Sequence, residues 1–286
     1  VYYSYFKVMN REFRLKSNEG NVLDISAVGL ENINKAPCLI LVHGFKGFKD
    51  WGFFPYSSEI LSKCGYFVVS FDFSHNGVSK NGSDFFNVEG FAKNTISLEI
   101  SELVQIIRAY KSGFFGNTIT GKIGIIGHSR GGGIAILSSL IEDADAYVVW
   151  ASIAKFDRYT ERQKTEWRKQ GKIEIVNSRT KQVLQMNVEM LEDIENNKNN
   201  SLCVKKAVNK LNKPLLIIHG TEDLTVPIAE GEQIYDWSNK SITELKRIPA
   251  CGHTFDIVHP FSGSNKKFDQ VIKKTEDFLN EIFIKS

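Results

Sequence analysis

Gly127-His128-Ser129-Arg130-Gly131 sets a serine between two glycines, directly after the apolar run Lys122-Ile123-Gly124-Ile125-Ile126 and just before Ile134-Ala135-Ile136-Leu137. A serine hydroxyl attacks a carbonyl carbon well only when a base takes its proton and donors receive the charge that builds on the oxygen. The strand–turn–helix context is what such a nucleophile needs. A sharp turn lifts the side chain out of the sheet, glycines on both sides relieve the collisions the turn would cause, and the helix start favours negative charge as it develops. The five-residue pattern alone is weak. Its competing reading is a glycine-rich turn with an incidental serine, so its neighbours must decide.

A base and an acid to orient it follow in the expected chain order, acid before histidine. Asp223 lies in His219-Gly220-Thr221-Glu222-Asp223-Leu224-Thr225-Val226-Pro227, just past the apolar run 214–218. His253 lies in Ala250-Cys251-Gly252-His253-Thr254-Phe255, just past the run 242–248. Both positions are strand carboxyl ends, where open α/β sheets gather their ligands. Glu222 is the rival acid if the turn shifts by one residue. His259 and His75 are the rival bases; they read as polar loop residues, although His75 could line a pocket. His219 reads as a support for the Asp223 turn.

Acyl transfer also needs two backbone N–H groups aimed at the developing oxyanion. Arg130, the residue after the serine, supplies one. The loop Leu41-Val42-His43-Gly44-Phe45-Lys46-Gly47 follows another apolar run, and the Phe45 N–H is the expected second donor. His43 is read as bracing that loop rather than titrating in the reaction.

These residues must be held by a sheet, and the chain supplies one. Short runs rich in Val, Ile and Phe at 38–42, 66–72, 122–126, 146–151, 214–218 and 242–248 have the continuous hydrophobicity of parallel strands buried on both faces. Alternating segments near 11–17 and 22–29 predict an antiparallel pair leading in. Helical patterns fit at 53–64, 92–111, 131–141, 228–239 and 265–284. The interval 154–212 has no strong buried strand and is too long for an ordinary crossover. It predicts an inserted cap containing a hairpin, 172–176 against 182–186 around Asn177-Ser178-Arg179-Thr180. The rest, 1–153 and 213–286, predicts one α/β core.

Together the segments HGF at 43–45, GHSRGG at 127–132, HGTEDLTVP at 219–227 and GHTF at 252–255 resemble the α/β-hydrolase superfamily through nearly the whole chain. HGFKGFKDWGFFP at 43–55, FDFSHNGVS at 71–79 and HTFDIVHPF at 253–261 look like a bacterial group likened to dienelactone hydrolases. The layout, with a cap between the sixth and seventh sheet strands, is similar to cinnamoyl and feruloyl esterases. The resemblance implies an α/β-hydrolase fold, with a mostly parallel central sheet flanked by helices and a small inserted cap. It also implies carboxylic ester hydrolysis through an acyl-serine intermediate, with no cofactor and no metal. True dienelactone hydrolases carry cysteine at the nucleophile position, so their substrate does not carry over. Dehalogenases and epoxide hydrolases need aspartate there, which Ser129 excludes.

Specificity is expected from the cap and from aromatic loops. Between Lys155 and Lys181 the sequence carries nine basic and four acidic side chains interleaved with Phe156, Tyr159 and Trp167. One reading makes this a lid whose aromatics face the substrate while Arg158, Arg168 or Lys172 meets a substrate carboxylate. The other is a solvated amphipathic helix docked by its aromatics. Phe48, Trp51, His75 and Trp167 are the candidate substrate contacts, and Phe45, Phe53 and Phe54 could join them in an apolar floor.

Composition excludes several other classes. A net charge of +3 with basic residues spread along the chain argues against nucleic acid as a partner. No apolar stretch is long enough for a membrane-spanning helix. Cys38, Cys64, Cys203 and Cys251 lack paired short spacing and read as reduced thiols. The first residues lack the basic-then-apolar order of a secretory signal, so a cytoplasmic location is the default, which a signal removed upstream would overturn. The expected partner is a small-molecule ester. A serine peptidase or acylaminoacyl hydrolase would use the same three residues. A non-catalytic ligand receptor on this fold is a third reading, weakened because such proteins often lose a triad member and none is missing here.

Overall fold

The computed structural model describes residues 9–78, 87–177 and 181–284. At one side of the sheet the edge strand β1 (Asn10–Lys16) pairs antiparallel with β2 (Val22–Val28), which pairs antiparallel in turn with the strand over Phe67–Phe71. The central strands β3 (Cys38–Val42), β4 (Phe67–Phe71), β5 (Ile123–His128) and β6 (Ala146–Trp150) are buried at every residue. They are followed by β9 (Leu215–Gly220) and β10 (Thr243–Ile248). The eight strands form one sheet in the order β1-β2-β4-β3-β5-β6-β9-β10. From β4 to β10 every neighbouring pair is parallel. Parallel strands present all their carboxyl ends along one rim, so loops far apart in sequence converge there.

Helices cover both faces. On one side lie α1 (Phe53–Lys63) and α9 (Lys266–Phe283), whose Phe53, Phe54, Phe268, Val271 and Leu279 pack with Leu39, Ile126, Val148 and Ile218 of the sheet. On the other lie α2 (Val88–Lys93), α3 (Ile96–Lys111), α4 (Arg130–Ser138) and α8 (Ile228–Trp237). The helical stretch expected over 92–111 is broken. Asn94 turns extended, and Thr95 caps α3 by accepting from the Leu98 N–H at 3.2 Å. A β-branched residue that offers a side-chain oxygen to the first turn starts a helix better than it continues one.

The long β6–β9 connection holds α5 (Glu161–Gln170), the two-stranded β7 (Lys172–Val176) and β8 (Val183–Asn187), α6 (Val188–Asn197) and α7 (Val204–Lys210). The hairpin pairs antiparallel, with Val176 opposite Val183; its expected turn at 178–180 falls outside the described residues. Three helices here carry no strong buried run, and α5 is strongly polar. Its start is fixed by a capping box between Thr160 and Gln163, a local signal that apolar periodicity misses. Leu184, Met186, Leu191 and Ile194 of this connection belong to the same apolar cluster as Ile125, Leu103 and Ile134 of the main body. The connection therefore shares the core rather than having one of its own. All four cysteines are free thiols, two of them fully buried.

Glu102 of α3 is completely buried and accepts from the Ser74 N–H at 3.0 Å and from the Ser74 hydroxyl, which ties α3 to the loop after β4. Burial pushes its carboxyl up to about 7, against the lowering effect of the Ser74 hydrogen bonds. A carboxyl that holds its proton more tightly folded than unfolded contributes stability fully below the ordinary glutamate value of about 4.3. That contribution is lost as pH rises through about 7. Glu102→Gln keeps the shape and cannot ionise. Its melting temperature should fall less than that of the unsubstituted protein between roughly pH 5 and pH 8, and equal slopes in thermal melts would contradict this.

Candidate active site

Ser129 sits between β5 and α4 with φ 57° and ψ −120°, a backbone region that residues with side chains rarely adopt. The turn is held by the Ser129 N–H donating to Trp150 O at 2.8 Å. It is possible only because Gly127 and Gly131, two residues to either side, lack side chains. A Cβ on Gly127 would lie 2.4 Å from Gly131 O, and one on Gly131 would lie 2.4 Å from Val42 O.

Asp223 and His253 arrive on the loops that leave β9 and β10, whose last residues Gly220 and Ile248 are register partners. His253 Nδ1 lies 2.7 Å from Asp223 Oδ2, and His253 Nε2 lies 3.0 Å from Ser129 Oγ. Asp223 is buried and also accepts from the N–H groups of Thr225 (2.9 Å) and Val226 (2.8 Å). Burial alone would raise its pKa. The His219 ring 3.4 Å away, the hydrogen bond from His253 and the Val226 N–H prevail and hold the carboxyl well below the usual aspartate range, so it stays an anion facing Nδ1. That fixes the histidine proton on Nδ1 and leaves Nε2 free to accept from the serine.

The other histidines brace this arrangement. His219 is fully buried and its Nε2–H donates to Val226 O at 2.8 Å, closing the loop that carries Asp223. His128 Nε2–H donates to the His253 carbonyl at 3.0 Å, and burial, with His253 beside it, pushes its pKa down to about 3. His43 donates from Nδ1 to Gly44 O at 2.9 Å and accepts the Phe73 N–H at Nε2, 3.3 Å away. Burial lowers it to about 4, so it is a neutral strut. Of the rivals, Glu222 is exposed, and the Nδ1 of His259 accepts the Gly52 N–H over 3.0 Å.

A Cβ on Gly44 would stand 2.9 Å from Ser129 Cβ and 3.4 Å from Arg130 N. Gly44 therefore packs directly against the Ser129–Arg130 peptide, one residue before the expected donor Phe45. The Phe45 ring stacks on Phe91 at 5.7 Å, and the Arg130 guanidinium covers it at 4.0 Å. Arg130 also pairs with buried Glu99 at 3.3 Å.

A cavity of about 500 Å³ opens over Ser129, and Phe45, Trp51, Arg130, Tyr159 and His253 are among its walls. Of the four expected substrate contacts, Trp51 lies on it and three do not. Phe48 is buried with its ring edge-on to His259 and faces a separate cavity beside Glu12 and Asp72. His75 is held by the Ser74 hydroxyl at 2.7 Å. Trp167 is buried behind Tyr159, its ring 5.0 Å away and its N–H donating to Met186 O at 3.0 Å. Phe53 is likewise interior, packed on Phe268, whereas Phe54 reaches the wall. Each is an aromatic whose type suited a pocket while its neighbours offered a better-packed interior place. Arg158 does reach the cavity, but Arg168 pairs with Glu195 and Lys172 meets Gln185 on the surface. Lys46, Ile153, Asn177, Thr225 and Val226 also line it and were not singled out from sequence. Lys46, next to Phe45 in the HGFKG loop, and Thr225 and Val226, in the segment that carries Asp223, had a positional signal; Ile153 and Asn177 had none.

The sequence model of the prolyl oligopeptidase family matches residues 51–285, which include Ser129, Asp223 and His253. The chain belongs to the prolyl oligopeptidase family. No curated protein sequence matches it. Among solved structures, Est1E from Butyrivibrio proteoclasticus with ferulic acid bound superposes with a TM-score of 0.69 at 18% identity, over 94% of this chain and 98% of that one. The α/β hydrolase GrgF from Penicillium sp. sh18 gives 0.71 at 12% identity, over 96% and 99%. The acylaminoacyl peptidase of Pyrococcus horikoshii gives 0.65 at 18% identity, over 98% of this chain but 42% of that one. This member of the prolyl oligopeptidase family thus has the α/β-hydrolase fold expected from its motifs, and it is a serine hydrolase. No helix among the described residues is long and apolar enough to cross a membrane.

The glycine packing beneath the nucleophile can be tested by itself. Gly131→Ala drives a methyl group into the carbonyl oxygens of Val42 and His43, at 2.4 and 2.5 Å. It should destabilise the protein by about 1–3 kcal/mol, read from urea denaturation. An unmoved midpoint would contradict the close approach.

Proposed function

We propose that this chain is an esterase that cleaves small to medium, including aromatic, carboxylic esters through an acyl-Ser129 intermediate. The observation that carries the reading is the unbroken relay from Asp223 to His253 to Ser129, at 2.7 and 3.0 Å. His253 takes the serine proton as Oγ attacks the ester carbonyl carbon, and the N–H groups of Phe45 and Arg130 receive the oxyanion. Collapse of the tetrahedral intermediate breaks the bond to the alkoxy oxygen, which leaves with the proton held by His253. Water, deprotonated by the same histidine, then releases the acid and restores the serine. Nothing in this sequence calls for a metal or organic cofactor. The β6–β9 connection acts as the cap, since its Tyr159 and Arg158 reach the cavity.

Ferulic acid bound to Est1E, a structure of the same fold, supports an aromatic acyl group, as do Trp51, Phe54 and Tyr159 on the cavity wall. The family match and the likeness to an acylaminoacyl peptidase favour amide cleavage as the second reading. Matched aryl esters and aryl amides separate the two, with a higher kcat/KM on the esters expected and an amide preference overturning the esterase reading. Ser129→Ala and His253→Ala should each lower kcat by about 10³-fold or more, and Asp223→Asn should also be damaging. Turnover that survives Ser129→Ala at more than a tenth of the original rate would remove the serine from the mechanism. Labelling by a fluorophosphonate probe, lost in Ser129→Ala, is the accompanying check, and no labelling would favour a ligand receptor.

A further inference from the structure

The cavity over Ser129 is lined by three basic side chains, Lys46, Arg130 and Arg158, and among the described residues on its wall none is acidic. Two of the three are already engaged. Arg130 is paired with Glu99, and Arg158 is held by Glu230 and by the Thr225 carbonyl at 3.2 Å. Lys46 has no acidic partner among the described residues; its ammonium lies 5.7 Å from the centre of the Phe45 ring. Its surroundings make this placement costly. Burial and the neighbouring Arg130 charge both lower its pKa, and its backbone takes φ 58°, where a glycine or asparagine would sit with less strain. A cation in a strained loop, partly desolvated, near the Arg130 charge and one residue from the expected oxyanion donor, is unfavourably placed without a counter-charge. An anion between Lys46 and Arg130 relieves both the repulsion and the desolvation, and partial burial strengthens such a contact relative to bulk water.

We propose that Lys46, with Arg130 beside it, is a specificity-determining pair for an ester whose acyl or alcohol portion carries a carboxylate. This rests on the esterase reading and narrows it. The carboxylate would dock between Lys46 and Arg130 while the ester carbonyl lies against the Phe45 and Arg130 amides, and Arg158, also on the cavity wall, adds to the positive field without leaving Glu230.

Two matched pairs test it: 4-acetoxybenzoate against 4-methylphenyl acetate, with the charge on the alcohol side, and monophenyl adipate against phenyl hexanoate, with the charge on the acyl side. Each kcat/KM is normalised to the hydroxide-catalysed rate. At least one charged ester should exceed its neutral partner by about tenfold, the scale of one hydrogen-bonded charge contact. Lys46→Asn tolerates the left-handed backbone and should cut that ratio back by about tenfold, whereas Lys46→Arg should keep most of it. The readout is a ratio within one protein, so partial misfolding does not mimic the result. Neutral esters turned over as well as or better than both charged ones, or a ratio that Lys46→Asn leaves unmoved, would overturn the inference while leaving the esterase reading intact. Failure to hydrolyse any of the four, with no fluorophosphonate labelling, would overturn the esterase reading and this inference with it.

Discussion

The turn at Ser129 is the constraint on which the rest of the site depends. Its φ of 57° is unfavourable for a residue with a side chain and persists only where surrounding packing over-determines it. Here the packing comes from β5 on one side, α4 on the other, and a set of glycines that let backbones approach where a methyl group would not fit. Gly127 faces Gly131, Gly131 faces the carbonyls of Val42 and His43, and Gly44 faces Ser129 itself. One steric arrangement thus fixes the nucleophile and the loop that carries the Phe45 amide at once. The start of α4 directly after Ser129 also favours negative charge close to the hydroxyl.

Around that turn the histidines divide into one that touches the serine hydroxyl and three that brace backbone carbonyls. Burial keeps His43 and His128 neutral well below neutral pH, and each spends its N–H on a backbone carbonyl. His219 does the same for the Asp223 loop. His253 alone has one ring nitrogen on a carboxylate and the other on a hydroxyl. The difference lies in partners rather than residue type, which is why a histidine in isolation says so little about chemistry.

Much of this was legible in the sequence because the parallel strands are buried on both faces and read as unbroken apolar runs. The motifs at their carboxyl ends then fell at strand ends by construction, and the order serine, acid, histidine left few choices. What was not legible depended on contacts across the fold. Phe48, His75 and Trp167 have the right types for a pocket, and only three-dimensional packing sends Phe48 to His259 and Trp167 behind Tyr159. The break at Asn94 and the polar helix α5 are set by capping side chains, which hydrophobic periodicity does not report. Lys46 was hidden for a further reason: a lysine in a loop is usually solvated, and nothing short of the fold shows that its neighbour is another cation.

The central claim is that Ser129 itself carries the acyl group. The most direct test is rapid acid quench during turnover of an activated aryl ester, followed by mass analysis of the peptide that contains residue 129. The account predicts a transient gain equal to the acyl group on Ser129, absent in His253→Ala over the same interval. Steady hydrolysis with no adduct at any time, or with the adduct on a different residue, would contradict it.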